Sequence, residues 1–121
     1  MKTRAAVLTG SGSPWEVAEV DLGDPQAGEA LVRIEVAGLC HSDEHMKYGD
    51  VPLPAVGGHE GAGVVESVGA GVTRVAVGDR VAISWIPSCG VCRWCVTGQS
   101  NLCDLGANML TGELANGGFR Y

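Results

Sequence analysis

The stretch that organises this chain is Cys89-Gly90-Val91-Cys92-Arg93-Trp94-Cys95, with Cys103 following after seven further residues. Thiolates at two-residue spacing can turn toward one tetrahedral cation such as zinc, because a tight loop brings each next sulfur within reach. Four protein ligands leave no open position on the metal. The pattern therefore predicts a closed site that stabilises a loop and carries out no chemistry.

Two other interpretations of these cysteines stay open. A pair of disulfides would need an oxidising compartment and would leave Cys40, the fifth cysteine, unpaired. An iron–sulfur cluster would suit the first three cysteines, but a ferredoxin run continues with a close fourth cysteine followed by proline. Here Cys103 is followed by Asp104. Zinc is therefore the preferred metal.

Composition excludes several classes of partner. The chain has 121 residues and a formal net charge of -6, whereas nucleic-acid and anionic-membrane binding favour a basic face. The apolar run 5–8 is too short for the core of a signal peptide, and no stretch is long enough to span a bilayer. We therefore expect one domain in the reducing cytoplasm, where thiolates can hold a metal.

Short alternating segments and frequent turn residues predict a mainly β fold. Strands are expected over 3–8, 15–22, 30–38, 63–68 and 79–84, and one short helix over 42–48. Ser42 is expected to cap that helix and Gly49 to end it. One face of the strand over 30–38 is expected to be core, segment 52–58 to be loop, and the chain beyond Cys103 to lack regular structure. These elements suggest a β-barrel or sandwich with a surface lobe over about 86–110.

A second constellation pairs Cys40 with His59. Cys40 lies where a strand gives way to the helix, and His59 lies on a later loop, so the two could converge at one end of the barrel. A thiolate and an imidazole make half of an open zinc site. Taken singly, each residue type is more often structural.

Three segments together resemble one enzyme family. Gly58-His59-Glu60-Gly61-Ala62-Gly63, with Gly69 and Val72, resembles the signature of zinc-containing alcohol dehydrogenases of the medium-chain superfamily. The segment 40–45 resembles the part that supplies the first catalytic zinc ligand, and the four clustered cysteines match the structural-zinc lobe. The resemblance implies a GroES-like barrel that forms the N-terminal portion of the catalytic domain.

The resemblance also implies roles for single residues. Cys40 and His59 would be catalytic zinc ligands, with Glu60 as an alternative ligand or an ordinary buried acid. Asp43 would hydrogen-bond the ligand histidine, as a supporting partner should, or would only serve the helix N-terminus.

Four further residues receive expectations from the same resemblance. Ser42 would touch the bound alcohol, and His45 would pass its proton to solvent, since histidine titrates near neutral pH. His41 would lie near the cofactor pyrophosphate, and Trp85 on the wall of the substrate pocket.

Two parts of such an enzyme have no match in this sequence. No residue after Cys103 matches the third catalytic zinc ligand, and the Gly-x-Gly segments at 61–63 and 69–71 lack the final glycine and the βαβ context of a Rossmann motif. We therefore expect residues 1–121 to be the N-terminal part of a longer, NAD-linked dehydrogenase, inactive alone and homo-oligomeric when full length. It would interconvert a small alcohol and its aldehyde. The alternative is a free-standing zinc-stabilised GroES-like scaffold module without catalysis.

Overall fold

A computed structural model of the chain describes residues 1–109. It divides into two compact units, Met1–Ile83 and a second that begins at Ser84. The first contains the strands β1 (Lys2–Leu8), β2 (Glu16–Asp21), β3 (Ala30–Ala37), β4 (Ala55–Val56), β5 (Gly61–Val68) and β6 (Arg80–Ala82), and the helix α1 (His41–Met46). The second contains the helices α2 (Arg93–Val96) and α3 (Asp104–Met109), and the 3-10 helix Ser100–Leu102.

The strands of the first unit form two antiparallel sheets of three strands each, in the orders β2-β1-β4 and β3-β5-β6. Leu8, Ala55 and Val65 are 1% exposed or less and form the centre of its core. The predicted mainly β class is confirmed. Within residues 1–109, no helix is long and apolar enough to cross a membrane.

The register of β3 against β5 determines where the second constellation lies. Ala37, the last residue of β3, pairs with Gly61, the first residue of β5. The ladder continues one step further, since the Gly38 amide donates to the Glu60 carbonyl at 2.9 Å. Residues that follow β3 and residues that precede β5 therefore meet at the same end of the sheet.

Four local expectations were wrong. The two-residue strand β4 lies inside the expected loop, because Val56 and Ala55 pair with the end of β1; two residues are too few to show a period. Helix α1 begins after Cys40 with no side-chain cap, so Ser42 lies inside the helix and does not cap it. The apolar face of β3 is not core, since Ile34 and Val36 are 46% and 68% exposed and no described element covers them.

The fourth error concerns the chain after Cys103, which was expected to lack regular structure but forms α3. With α1 and α2, the described residues therefore contain more helices than the expected one or two. Gly106 disfavours a helix by propensity. It is nevertheless buried, and a Cβ built on it would lie 2.6 Å from Cγ2 of Ile86. Close packing against Ile86 outweighs local propensity here. Residues 110–121 of the expected irregular segment lie outside the described residues.

Candidate metal centres

The first cluster of potential ligands is made by Cys89, Cys92, Cys95 and Cys103, whose sulfurs all lie within 4.8 Å of one another. The Cys92 sulfur is 3.6 Å from that of Cys95 and 3.9 Å from that of Cys103. A tetrahedral zinc with Zn–S distances of about 2.3 Å separates its sulfurs by about 3.8 Å. The donor set and its spacing therefore fit zinc.

Backbone amides point at these sulfurs. The amide of Cys89 donates to the Cys103 sulfur at 3.3 Å, and the amides of Val91 and Cys92 donate to the Cys89 sulfur at 3.5 and 3.3 Å. The turn 89–92 is thus folded around the sulfurs themselves. Such N–H donors favour the thiolate form that a metal requires.

Three thiols of this cluster have shifted pKa values, in different directions, because their surroundings differ. A backbone hydrogen bond from Asp104, supported by one from Cys95, lowers the pKa of Cys92 to about 6. Burial, opposed by the Gly90 amide and reinforced by neighbouring cysteine sulfurs, raises the pKa of Cys95 to about 12. Hydrogen bonds from backbone amides, that of Cys89 first, also lower the pKa of Cys103. Two of the thiols therefore favour the thiolate, whereas Cys95 resists further negative charge until a cation neutralises it.

The second cluster lies in the first unit, where the β3–β5 register brings Cys40 to His59 and Glu60. One ligand atom from each lies within 4.8 Å of the others. The set offers a thiolate, an imidazole nitrogen and a carboxylate oxygen, which are all zinc donors. In contrast to the four cysteines, three donors leave a tetrahedral metal with an open position.

Asp43 fixes which nitrogen of His59 faces this cluster. Oδ1 of Asp43 lies 3.2 Å from Nδ1 of His59 and accepts the Gly58 amide at 3.0 Å. A carboxylate oxygen only accepts hydrogen bonds, so Nδ1 carries the proton and Nε2 keeps its lone pair. Asp43 is only 7% exposed. Its contacts are those expected of a residue that orients a ligand histidine.

Ser42 lies between the two donors, 3.1 Å from the Cys40 sulfur and 3.4 Å from Nε2 of His59. The side-chain and backbone hydrogen bonds of Ser42 lower the pKa of Cys40 below its usual value. Burial lowers the pKa of His59, but hydrogen bonds to Cys40 and Asp43 and their charges outweigh burial, so the pKa is raised overall. Both shifts favour the charged form of the group, so a metal that binds Nε2 of His59 competes with a proton there.

Glu60 reaches the cluster because residue 38 has no side chain. A Cβ built on Gly38 would collide with the Glu60 carboxylate, so glycine at this position leaves the space that the acid occupies. Glu60 is exposed, which differs from the buried acid considered as the alternative to a ligand. The importance of Gly38 was not evident from the sequence, where it reads as a strand end.

The remaining predicted residues are placed as follows. The rings of His41 and His45 are exposed and meet edge to face, with centroids 4.8 Å apart. Trp85 lies near the start of the second unit, outside the described strands, and is 49% exposed. Its predicted place on the substrate pocket stays a prediction.

One cavity adjoins the second cluster. It has a volume of about 330 Å³ and is lined by Trp15, Leu39, Cys40, His41, Asp43 and Glu44. Trp15 and Leu39 were not predicted as site residues. The only signal in the sequence was the adjacency of Leu39 to Cys40, and no local pattern points to Trp15.

Comparisons with known proteins find relatives of this chain. Residues 26–121 match the family model of the alcohol dehydrogenase GroES-like domain. An NDMA-dependent alcohol dehydrogenase of Amycolatopsis methanolica is 56% identical over 123 residues, which cover 100% of this chain and 33% of that protein. The chain thus spans about a third of the length of such relatives.

Two crystal structures are also similar. An alcohol dehydrogenase zinc-binding domain protein from Burkholderia ambifaria is 38% identical with a TM-score of 0.85, covering 97% of this chain and 32% of that one. A cobalt and zinc bound thermostable alcohol dehydrogenase from Pyrobaculum aerophilum is 36% identical with a TM-score of 0.75, covering 88% and 33%.

Proposed function

The chain belongs to the family of alcohol dehydrogenase GroES-like domains, and from this we propose that its whole protein is a zinc-dependent alcohol dehydrogenase. The enzyme would transfer hydride between an alcohol carbon and NAD, with the aldehyde as the oxidised product. The observation that carries the proposal is the convergence of Cys40, His59 and Glu60, with Asp43 bonded to His59. An open three-donor set is what a catalytic metal requires.

The two clusters would have different tasks. Cys89, Cys92, Cys95 and Cys103 would hold a structural zinc, since a closed four-thiolate site has no position for substrate. Cys40 and His59 would hold the catalytic zinc, with Glu60 as an alternative or transient ligand. When bound there, zinc supplies Lewis acidity that lowers the pKa of an alcohol hydroxyl.

The chain's own residues would prepare the alcohol for hydride loss. Asp43 keeps the proton on Nδ1 of His59, so that Nε2 faces the cluster. The Ser42 hydroxyl, located between the two donors, would take the alcohol proton while it passes its own proton on, and the exposed His45 would deliver that proton to solvent. The exposed His41 would lie toward the cofactor pyrophosphate, and Trp85 would contribute to the substrate pocket.

The cofactor and substrate are proposed from the family. NAD would be held by a Rossmann domain of the same protein, for which residues 1–121 would be the N-terminal partner, and residues 1–121 alone would be inactive. A relative is named as NDMA-dependent, so turnover should be assayed with NAD, both with and without added NDMA. A small primary or aromatic alcohol would be the substrate, and the full protein would be homo-oligomeric.

A reducing compartment such as the cytoplasm would suit the site. The five cysteines are free, and the sulfurs of Cys92 and Cys95, 3.6 Å apart, do not form a disulfide. A disulfide would remove ligands from the metal.

The scaffold alternative is less well supported. A binding module would need only the closed site for stability, and nothing in that role calls for three further donors beside a buried acid. Its distinguishing consequence is a single zinc per chain.

Elemental analysis of the purified protein tests the proposal. We expect about two zincs per chain, with one lost in Cys40→Ser and a different one lost in Cys92→Ser. In the full-length enzyme, Cys40→Ser should remain folded and lose alcohol oxidation. A single zinc that is unaffected by Cys40→Ser would favour the scaffold module, and iron with visible absorption would favour a cluster protein.

A further inference from the structure

The connection between β1 and β2 contacts both elements that carry the second cluster. Residues 10–15 of this connection are called the strap below. At one end, the Gly12 amide donates to the Lys47 carbonyl at 2.7 Å, and the Ser11 hydroxyl donates to the same oxygen at 3.2 Å. Lys47 is the C-terminal cap of α1. The strap is therefore bonded to the end of the helix that follows Cys40 and carries Asp43.

At its other end, the strap places an indole on the backbone that leads to His59. A Cβ built on Gly57 would lie 2.6 Å from Cη2 and 2.7 Å from Cζ3 of Trp15. The ring thus lies directly on Gly57 in the space that a side chain would fill. Trp15 also lines the cavity beside Cys40 and Asp43.

The backbone under the ring needs such support. Gly57 and Gly58 precede His59, and two glycines in sequence have more conformational freedom than any other pair. Gly58 has a φ of +101°, and its amide is held by Asp43. The Gly57 amide donates to the Ala6 carbonyl of β1 at 2.9 Å.

The strap is itself held in place. Glu16, the residue after Trp15, pairs with Val7 in the β1–β2 ladder, and the Ser13 amide donates to the Gly10 carbonyl at 3.1 Å within the turn. The indole therefore rests on the Gly57 backbone from a base that belongs to the sheet.

We propose that Trp15 is a positioning residue for the metal centre at Cys40 and His59. Its indole would hold the Gly57-Gly58 backbone so that Nε2 of His59 stays at the distance from the Cys40 sulfur that a metal requires. The inference rests on the proposed function, since it concerns the catalytic metal, but it assigns a role to a residue that is not itself a metal donor.

Cobalt binding to the full-length protein provides the test. After metal removal, one equivalent of zinc fills the four-thiolate site, and Co²⁺ is then titrated while its visible d–d bands report on the second site. Trp15→Ala should weaken Co²⁺ binding about tenfold, as is typical for residues that support metal ligands, and should shift the bands. Trp15→Phe should restore binding. The control Val17→Ala, at a site 76% exposed on the following strand, should behave as wild type.

A second variant tests the contact itself. Gly57→Ala places a methyl group against the indole and should also weaken Co²⁺ binding. In the Trp15→Ala background the methyl group has room, so Gly57→Ala should then cost little. This non-additivity is the expected sign of a direct contact.

The outcomes separate the two proposals. Wild-type affinity for Co²⁺ in Trp15→Ala would overturn the positioning role and leave the proposed function standing. Equal weakening of both metal sites, with a lower melting temperature, would make Trp15 a general core residue and would also overturn it. A full-length wild-type protein with no second Co²⁺ site would instead refute the proposed function, and the role of Trp15 with it.

Discussion

Replacement of Asp43 tests how the second cluster is organised. Oδ1 of Asp43 accepts hydrogen bonds from the Gly58 amide at 3.0 Å and from Nδ1 of His59 at 3.2 Å. Asp43→Ala removes both, and a hydrogen bond to a charged partner contributes roughly 1.5–3 kcal/mol. Because Gly58 is exposed, water can replace one of the two. We therefore expect the metal-free chain to lose about 2 kcal/mol of unfolding free energy.

Asp43→Ala should also weaken metal binding, and by more than would be expected if Asp43 were only a charge at the N-terminus of the helix. Loss of a residue that orients a ligand histidine typically weakens binding about 10–100-fold, which is about 1.4–2.7 kcal/mol. Asp43→Asn keeps an oxygen in place and should lose less than Asp43→Ala. Co²⁺ titration of the second site and urea unfolding of the metal-free chain measure the two effects.

The loss of metal affinity in Asp43→Asn should also depend on pH, and the structure predicts the direction of that dependence. Burial lowers the pKa of His59, and the bonds and charges of Cys40 and Asp43 raise it above its usual value. Without the Asp43 charge that pKa falls, so protons compete less with the metal at low pH. The loss of affinity relative to wild type should therefore be smaller at pH 6 than at pH 8.

Glu44→Gln is the matched control, since Glu44 is the next acid of the same helical turn and pairs with Lys47 at 2.7 Å. It should leave Co²⁺ affinity unchanged. Equal Co²⁺ affinity in wild type and Asp43→Ala would refute the reasoning, and so would an equal loss in Glu44→Gln, which would mean that only the net charge of the helix matters.

Three further predictions concern the lobe and the sheet. Cys92→Ser should lower the zinc content by one per chain and lower the melting temperature, because structural zinc contributes directly to folding; an unchanged melting temperature would contradict a structural site. Zinc binding to the lobe at pH 8 should release a proton from Cys95, whose pKa is about 12, and almost none from Cys92, whose pKa is about 6. At pH 5 zinc binding should release one further proton, from Cys92. Calorimetry in buffers of different ionisation enthalpy measures the number of protons released. Gly63→Ala should destabilise the chain by about 1–3 kcal/mol, since a Cβ there collides with the Arg33 carbonyl, whereas Gly23→Ala, with nothing within 4 Å, should not.

The sequence predicted those elements whose signals are local. The alternation over 30–38 and the glycines around it predict β3 to within one residue of its observed bounds, Ala30–Ala37. The exposure of Ile34 and Val36 was not predictable, because alternation shows that two faces differ and does not show what covers either one. β4 was missed because its two residues form a strand only through pairing with β1.

The two metal clusters also differ in whether a local sequence signal predicts them. The four cysteines lie within fifteen positions, so their spacing alone predicts that they share a cation. Cys40 and His59 meet only through the pairing of Ala37 with Gly61, which periodicity cannot provide, and only the family resemblance joined them in the sequence. No local pattern predicts the contact of Trp15 with Gly57, because that contact depends on two different strand pairings of β1.

The position of Ser42 connects the metal-free geometry to the proposed chemistry. Its hydroxyl lies 3.1 Å from the Cys40 sulfur and 3.4 Å from Nε2 of His59, where it can bond to both donors. The proposed metal would take both donors, which would leave the hydroxyl free to take the proton of an alcohol while it passes its own proton on toward His45. Ser42→Ala should therefore leave zinc content near wild type and slow alcohol oxidation in the full-length enzyme, whereas Ser42→Thr, which keeps the hydroxyl, should retain turnover. A loss of zinc in Ser42→Ala would show instead that the hydroxyl organises the ligands and has no separate part in proton transfer.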